Sequence, residues 1–353
     1  MIRLTWLQFR FQAAIAVATL AAVAIVLAIT GSHLVHLYNT TVANCAAQND
    51  CESATHAFLL NDQFLQSMLG PLLLIVPGLL GIFWGAPLIA RELESGTYRL
   101  VWNQSISRTR WLAIKLGLVA LASMVVAGLI SLMVTWWSSP FDRINKDRFL
   151  PGTFDERGIV ALGYALFAFA LGVTAGVIIR RTLPAIATTL VAFVFARLAM
   201  VFWIRPHLMS PEHLSLPVTA SSGLGFGSTN GSGVVTFIAD DPRIPNAWVV
   251  SNQIADKAGH VASAAVLHQF LQTACPGIGG PPVAGLGSGT RAVANQERFN
   301  TCVAKVSANY HLALTYQPAN RYWAFQWYET AIFVALALAL AGICFWWVRR
   351  RLA

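Results

Sequence analysis

The chain has 353 residues, of which 56% are hydrophobic and only 11% are charged, and its mean hydropathy is +0.59. Soluble globular domains carry about 25% charged residues, so this composition excludes an ordinary soluble protein and indicates a membrane protein. The formal net charge of +9 would usually suggest nucleic acid as a partner. The excess positive charge lies at the ends of apolar segments, so we expect no nucleic-acid binding.

Six segments are long and apolar enough to cross the membrane, which takes about 20 residues for about 30 Å of hydrocarbon. The first is too long for the apolar part of a signal peptide and has no convincing cleavage site after it, so we expect it to remain as a spanning helix. Pro71 and Pro77 predict a kink in the second. The six predicted spans are Ala13–Gly31, Ser67–Ala90, Leu116–Trp137, Gly158–Ile179, Thr182–Ile204 and Thr330–Val348.

The basic residues predict the orientation. If the N-terminus is cytoplasmic, the cytoplasmic segments are 1–12, 91–115, 180–181 and 349–353. They contain half of the 24 Lys and Arg residues, and their only acidic residues are Glu92 and Glu94. An excess of Lys and Arg in short cytoplasmic loops is typical of membrane proteins. We therefore predict a multi-pass protein of the bacterial cell membrane with both termini in the cytoplasm.

The predicted fold is an all-α polytopic membrane protein with a mixed α+β extracellular domain between helices 5 and 6. Residues 1–204 hold helices 1–5 with a cytoplasmic coupling loop at 91–110, residues 205–325 form the extracellular domain, and residues 326–353 hold helix 6 and a basic tail. Within the extracellular domain, the pattern predicts a strand at Val234–Ala239 and helices near Gly259–Thr273 and Asn295–Leu314.

The five cysteines support this orientation. Cys45 and Cys51 fall in the first outer loop, Cys275 and Cys302 in the extracellular domain, and Cys344 in the last helix. Disulfides form on the oxidising side of the membrane. We predict the pairs Cys45–Cys51 and Cys275–Cys302, with four unpaired thiols as the alternative.

Several motifs are missing from the sequence. It contains no GxxxxGK[ST] loop, so this chain is not expected to hydrolyse ATP, and no HExxH or GxSxG motif. His33 and His36 have i,i+3 spacing, but two histidines without a nearby Cys or carboxylate make a weak metal site. We therefore expect no catalytic residues, no metal and no cofactor in this chain.

The loop after the second helix mixes acidic, basic and aromatic residues. On the segments Arg91–Thr97 and Trp102–Trp111 it resembles the cytoplasmic loop of actinobacterial permeases of the type-2 ABC exporter class. The resemblance continues at Arg205–His207 and at Tyr316–Gln326, in the order expected for the family. The alternative is an ordinary basic loop anchored by lipid headgroups.

This resemblance implies a six-helix permease that pairs with a second permease, which we expect to be another copy of the same chain. It also implies two copies of a cytosolic ABC ATPase that bind ATP and Mg²⁺. It also implies that the loop docks on the ATPase as a coupling helix. The implied coupling residues in this sequence are Arg91, Glu92, Glu94, Gly96, Thr97, Tyr98 and Arg99.

Arg197 is a charged residue inside the fifth predicted helix. Such a residue is costly in the membrane and should face the bundle interior or a wet cavity. Glu329 lies at a similar depth in the sixth helix, so we predict an Arg197–Glu329 pair. The pair either locks two helices or lines a substrate path, and a third possibility is that Arg197 reaches the outer headgroups.

Cationic, polar and aromatic residues gather at the outer ends of helices 5 and 6. They suggest either an interfacial belt, which we favour, or a substrate exit: Arg205, His207, Arg321, Trp323 and Gln326. Asp240 and Asp241 precede a proline and suggest a solvated turn rather than a cation site.

Export of an amphipathic small molecule, lipid or peptide, driven by ATP hydrolysis in a separate subunit, is the function that these features favour. Efflux of this kind would confer multidrug or antibiotic resistance if the cargo is a drug. A membrane enzyme with an extracellular active site is one alternative, with Asp240, Asp241, His207 or His213 as candidate groups. A sensor or resistance component that signals through the same ATPase is another.

Overall fold

The computed structural model describes residues 2–45, 51–61, 74–97, 107–145, 148–219, 224–228, 235–239, 244–275 and 288–351. The chain divides into two compact units. The first comprises Met1–Leu208 and Asn320–Ala353, and the second comprises Met209–Ala319. Residues 205–208 and 320–325, which the sequence analysis assigned to the extracellular domain, belong to the first unit because they continue the helices on either side.

Helices make up the first unit, and six of those in the described residues are long and apolar enough to span a membrane, as predicted. These six are α1, α3, α4, α7, α8 and α11. The bounds are α1 Ile2–Leu37, α2 Cys51–Asn61, α3 Leu74–Ser95, α4 Arg108–Trp137, α5 Ser139–Asn145, α6 Pro151–Glu156, α7 Val160–Ile179, α8 Thr182–Ala199 and α11 Tyr322–Arg351. A π-helical turn, Met200–Ile204, and a 3₁₀ turn, Arg205–His207, extend α8.

Helix α7 is the centre of the bundle. It packs against α3, α4, α8 and α11, and most of its residues are buried. Its sequence alternates small residues with Phe, Val and Tyr, so neighbouring helices can approach on every side. A helix that is apolar around its whole circumference belongs inside a bundle.

Helices α3 and α7 come close enough for their backbones to touch. Gly81 and Gly85 lie four residues apart on α3 and face Gly172 and Gly176 on α7. A Cβ atom on Gly81 would lie 2.6 Å from the Ala168 carbonyl oxygen, and one on Gly176 would lie 2.6 Å from that of Ala86. Glycines at this spacing are a common means of packing membrane helices, since van der Waals contact replaces the hydrophobic effect there.

The segment between α4 and α7 folds onto one end of the bundle. Phe149 and Phe154 are buried in it and stack on each other, and each forms an edge-to-face pair with Tyr322 at the start of α11. Arg157 forms an ion pair with Asp142 of α5. These contacts hold α6 over the ends of α7 and α11.

The second unit contains strands and helices. Its strands are β1 Glu212–Pro217, β2 Leu224–Ser228, β3 Val235–Ala239, β4 Trp248–Asp256 and β5 Tyr310–Gln317, and its helices are α9 Ala264–Ala274 and α10 Ser288–Asn309. Strands β1, β5 and β4 form an antiparallel sheet in that order, and β2 pairs with β3. The core of the unit includes Leu271, Val306 and Leu312.

The prediction of a helix over Asn295–Leu314 is wrong at its C-terminal end. The helix stops at Asn309, and Tyr310–Gln317 forms the central strand of the sheet. Leu312 and Leu314 are buried, whereas the residues between and beside them are only partly buried. This period of two is that of a strand, and pairing with β1 and β4 on both sides stabilises it.

Both predicted disulfides are present. Cys45 bonds Cys51, with Cα atoms 4.8 Å apart, and Cys275 bonds Cys302, with Cα atoms 5.3 Å apart. The second disulfide joins α9 to α10 within the core of the second unit. Cys344 is a free, buried thiol in α11, as predicted.

Candidate functional site

Five polar residues from four elements meet inside the first unit, four of them buried and the fifth, Arg197, largely buried. We call Asp155, Tyr164, Arg197, Arg205 and Glu329 the arginine cluster. Asp155 comes from α6, Tyr164 from α7 and Glu329 from α11, whereas Arg197 lies in the last turn of α8 and Arg205 in the 3₁₀ turn that extends it. Arg205 and Glu329 are 1% and 0% exposed. The cluster therefore ties together three spanning helices and the segment that caps them.

Arg205 binds Glu329 through two parallel hydrogen bonds. Its Nε and Nη2 donate to the two carboxylate oxygens of Glu329, each at 2.9 Å. Nη2 also contacts Asp155 Oδ1. Bidentate arginine–carboxylate pairs are among the strongest hydrogen-bonded contacts in proteins and fix the relative orientation of both groups.

Asp155 bridges the two arginines. Its second oxygen accepts a hydrogen bond from Arg197 Nη2 at 2.8 Å. The hydroxyl of Tyr164 lies 3.0 Å from Asp155 Oδ1 and also contacts Glu329 Oε1. With a single proton, this hydroxyl donates to one of the two carboxylates at a time.

Aromatic rings cover the two guanidinium groups. Arg197 lies over the ring of Tyr164, 3.6 Å from its centroid, and Arg205 over the ring of Phe154, 4.5 Å from its centroid. Two arginines and two carboxylates give the cluster a formal net charge of zero. Neutrality, hydrogen bonding and cation–π contacts together explain how four charges remain buried.

The predicted direct pair of Arg197 with Glu329 is wrong in its partners. Both residues lie in the cluster, but Arg197 pairs with Asp155 and Glu329 pairs with Arg205. Asp155 was not predicted as a partner, because it lies outside every apolar segment. The sequence feature that could have indicated it is the run of three charged residues, Asp155–Arg157, directly before the fourth span.

The structure separates the residues of the predicted outer rim. Arg205 and Gln326 are buried, so they do not belong to an interfacial belt. Trp323 is 54% exposed, His207 is exposed and Arg321 is partly exposed. The exposed indole and imidazole remain compatible with an interfacial position.

Gln326 joins α11 to the start of α7. Its Oε1 accepts from the Val160 backbone N–H at 3.0 Å, and its Nε2 donates to the carbonyls of Phe154 and Arg157, each at 3.1 Å. A Cβ atom at Gly158, which has φ +75°, would collide with the Gln326 side chain. This amide therefore holds the capping segment against α11, one helical turn from Glu329.

A cavity of about 20 Å³ reaches the cluster from the side of α3 and α4. Tyr164 and Arg197 line it together with Asp155 and Glu156. The volume suits about one water molecule. Burial raises the pKa of Glu156 to about 7, although the neighbouring Arg157 lowers it and Asp155 raises it further.

A second set of polar contacts lies at the opposite end of α8 and involves α3 and α4. Glu92 near the end of α3 forms an ion pair with Lys115, which is 2% exposed in α4. Glu94 accepts hydrogen bonds from the backbone N–H of Thr182 at 3.0 Å and from its hydroxyl at 2.7 Å. We call Glu92, Glu94, Lys115 and Thr182 the loop-base contacts.

The predicted coupling residues extend beyond the described part of the chain. Arg91, Glu94 and Thr97 are exposed, and Gly96 ends α3 in the left-handed conformation at φ +74°. Tyr98 and Arg99 lie outside the described residues, as do Asp240 and Asp241. Within the described residues, no group of three His, Cys, Asp or Glu side chains could hold a metal ion.

Six long apolar helices with a neutral buried charge cluster define a multi-pass membrane protein. Residues 17–205, more than half of the chain, match the family described as ABC-2 membrane transporter related. The chain belongs to this family, which confirms the resemblance to type-2 ABC permeases. No curated protein and no solved structure matches the chain.

The family match covers most residues of both polar regions. It covers Asp155, Tyr164, Arg197 and the loop-base contacts and ends at Arg205. The second unit and Glu329 lie beyond it. The polar contacts at both ends of α8 therefore fall within the matched region.

Proposed function

We propose that this protein is the permease subunit of an ABC exporter in the bacterial cell membrane. Its cargo would be an amphipathic small molecule, lipid or peptide, and ATP with Mg²⁺ would bind to a separate cytosolic ATPase present in two copies. A second permease copy would complete the transport path. The family match and the six spans support this proposal.

The proposed orientation places the loop-base contacts at the cytoplasmic face. The basic segments Arg180–Arg181 and Arg349–Arg351 lie at this end, where the Arg180 guanidinium donates to the Arg351 carbonyl at 3.2 Å. The two disulfides favour an oxidising environment for their own loops. In this orientation, the second unit is extracellular.

One observation carries the mechanism: α8 connects the loop-base contacts to the arginine cluster. Thr182 at its N-terminus is held by Glu94, and Arg197 lies 15 residues further on, about 22 Å along the helix axis. A helix of this length behaves as a rigid rod. Movement of the loop after α3 would therefore be transmitted to the far end of the bundle.

The two acidic residues would act on different helices. Glu94 links the loop to α8 through Thr182, and Glu92 links it to α4 through Lys115. Closure of the ATPase dimer would push on the exposed residues around Gly96 and Thr97, and these two links would carry the push into the bundle. At the far end, the arginine cluster would resist opening until the ATPase supplies the work.

The test is co-purification of the tagged chain from native membranes, followed by an ATPase assay. Wild type is compared with Glu92→Ala/Glu94→Ala and with the control Glu297→Ala, an exposed acidic residue of the second unit. We expect an ATPase subunit with wild type and the control, and its loss or an altered ATPase activity in the double variant. Purification of wild type without any ATPase would contradict the proposal.

A further inference from the structure

Helix α1 contacts the bundle near its start and again further along. Further along, Leu27 and Leu34 are buried against α4, and Trp137 Nε1 donates to Thr30 Oγ1 at 3.0 Å. Near its start, Phe9 forms an edge-to-face pair with Trp84, and Gln12 donates a 3.4 Å hydrogen bond to the Phe83 carbonyl. Ala13 and Ala16 also pack against the core of the bundle. From Gln12 to Val23, α1 also lines a groove that it shares with α3 and α4.

The groove is apolar and one leaflet long. Its volume is about 350 Å³, and α1, α3 and α4 line it. On α1 the lining runs from Gln12 to Val23, about 17 Å along the helix axis. Half of a hydrocarbon core of about 30 Å is nearly the same length. The lining side chains Ile15 and Phe83 are 53% and 56% exposed, so the groove is accessible from the lipid.

A cavity with charged residues in its wall adjoins the groove at the end where Gln12 lies. Its volume is about 290 Å³, and Gln12 lines both spaces. The charged residues of the cavity are Arg91, Glu92 and Lys115, with a formal net charge of +1. Because Lys115 pairs with Glu92, and Arg91 makes no ion pair with any residue that the structure describes, Arg91 is the cation left to bind an anion.

We propose that these two spaces together bind one anionic phospholipid. The phosphate would bind the guanidinium group of Arg91 at the wall of this cavity. One acyl chain would lie in the groove along α1. The lipid belongs to the cytoplasmic leaflet in the orientation proposed above, but the binding site itself does not depend on that orientation.

The net positive charge of the cavity and the length of the groove favour an anionic phospholipid over other occupants. A transmembrane helix of a second copy would fill the apolar groove and leave the cationic cavity empty. A zwitterionic lipid would fill both spaces but add a choline cation next to Arg91. A lipid with one uncompensated phosphate satisfies both the cavity and the groove.

The experiment is native mass spectrometry of the full chain in detergent, titrated with phosphatidylglycerol or phosphatidylcholine. No ATPase is needed, so the result is independent of the proposed transport function. For wild type, we expect the first phosphatidylglycerol to bind about tenfold more tightly than the first phosphatidylcholine. Arg91→Gln should abolish this preference, and the control Arg349→Gln, an exposed arginine outside both spaces, should retain it.

A second pair of variants tests the groove. Ala16→Phe places a ring in the groove and should weaken the binding of both lipids, whereas Ala21→Phe, on the exposed face of α1, should not. Equal effects of Arg91→Gln and Arg349→Gln would show a general attraction to basic residues and overturn the proposal. Unchanged lipid binding in Ala16→Phe would also overturn it. Loss of a dimer in Ala16→Phe would identify a second copy as the occupant instead.

Discussion

Arg205 and Glu329 form a bidentate ion pair, with both nitrogen–oxygen distances at 2.9 Å, in a part of the bundle where neither side chain reaches solvent. Arg205 extends α8, and Glu329 lies two turns into α11. The pair therefore fixes the end of one spanning helix against another. Asp155 brings the capping segment into the same contact.

Removing one partner of this pair should lower the thermal stability of the protein more than removing both. Glu329→Gln leaves the cluster with one uncompensated positive charge, which typically costs about 3–5 kcal/mol in a buried pair. The double variant Arg205→Gln/Glu329→Gln restores neutrality. Thermal unfolding in detergent should show a lower Tm for Glu329→Gln and a partial recovery in the double variant. Equal or additive losses would contradict charge balance as the reason for the arrangement.

Much of the membrane part could be predicted from sequence because hydropathy reports on the solvent directly. All six spans were found, and Arg197 attracted attention because a charge in an apolar segment is rare. Its partner could not be found in the same way. Asp155 lies in the segment between spans 3 and 4, and only the fold of α6 over the bundle places it beside the two arginines.

The second unit was harder to predict because its signals are short. Strand β5 follows α10 without a break, and its eight residues contain two buried leucines, too few to outweigh the helical pattern before them. Strand β1 also escaped prediction, since it is stabilised by β5, about 100 residues further along the chain. Long-range pairing of this kind leaves little trace in a local window.

The contact of α3 with α7 gives a prediction about packing. Alanine at position 172 would place its Cβ against the Gly81 carbonyl oxygen and the Ala86 backbone nitrogen. Neither backbone atom can move without displacing its helix, so we expect Gly172→Ala to destabilise the protein by about 1–3 kcal/mol. The matched control is Gly342→Ala on α11, where no atom lies within 4 Å of the new Cβ.

The control should be neutral or slightly stabilising, because alanine is the better helix former. Thermal unfolding of both variants in one detergent checks the prediction. A Gly172→Ala protein as stable as wild type would show that the two helices are further apart than the structure places them.

The Cys275–Cys302 disulfide gives a prediction about the second unit. The two cysteines lie in the core of the unit and are separated by 27 residues in sequence. A disulfide that closes a loop of that size stabilises the folded state by about 3–4 kcal/mol. We expect Cys275→Ser/Cys302→Ser to make the second unit sensitive to limited proteolysis. The control is Cys45→Ser/Cys51→Ser, which opens a bond of sequence separation 6 in the first unit and should leave proteolysis of the second unit unchanged. Equal protection of the second unit in both variants would contradict the prediction.

The final prediction concerns pH and rests on Glu156. Burial raises the pKa of this carboxyl from 4.5 to about 7 in the folded protein, so the folded state binds its proton more tightly than the unfolded state does. The stabilisation is complete below about pH 4.5 and is lost as the pH rises through about 7. The contribution of Glu156 to the free energy of unfolding should therefore fall between pH 4.5 and pH 7 and then level off.

Glu156→Gln keeps the shape of the side chain and removes the titration. The difference in Tm between wild type and this variant should change between pH 5 and pH 7.5, in the direction that favours wild type at low pH. Measurements in one buffer series at constant ionic strength remove the contribution of the other groups, since these are shared by both proteins. A difference that is independent of pH would show that Glu156 is solvated like an ordinary surface carboxylate, and the cavity beside Arg197 would then be open to water.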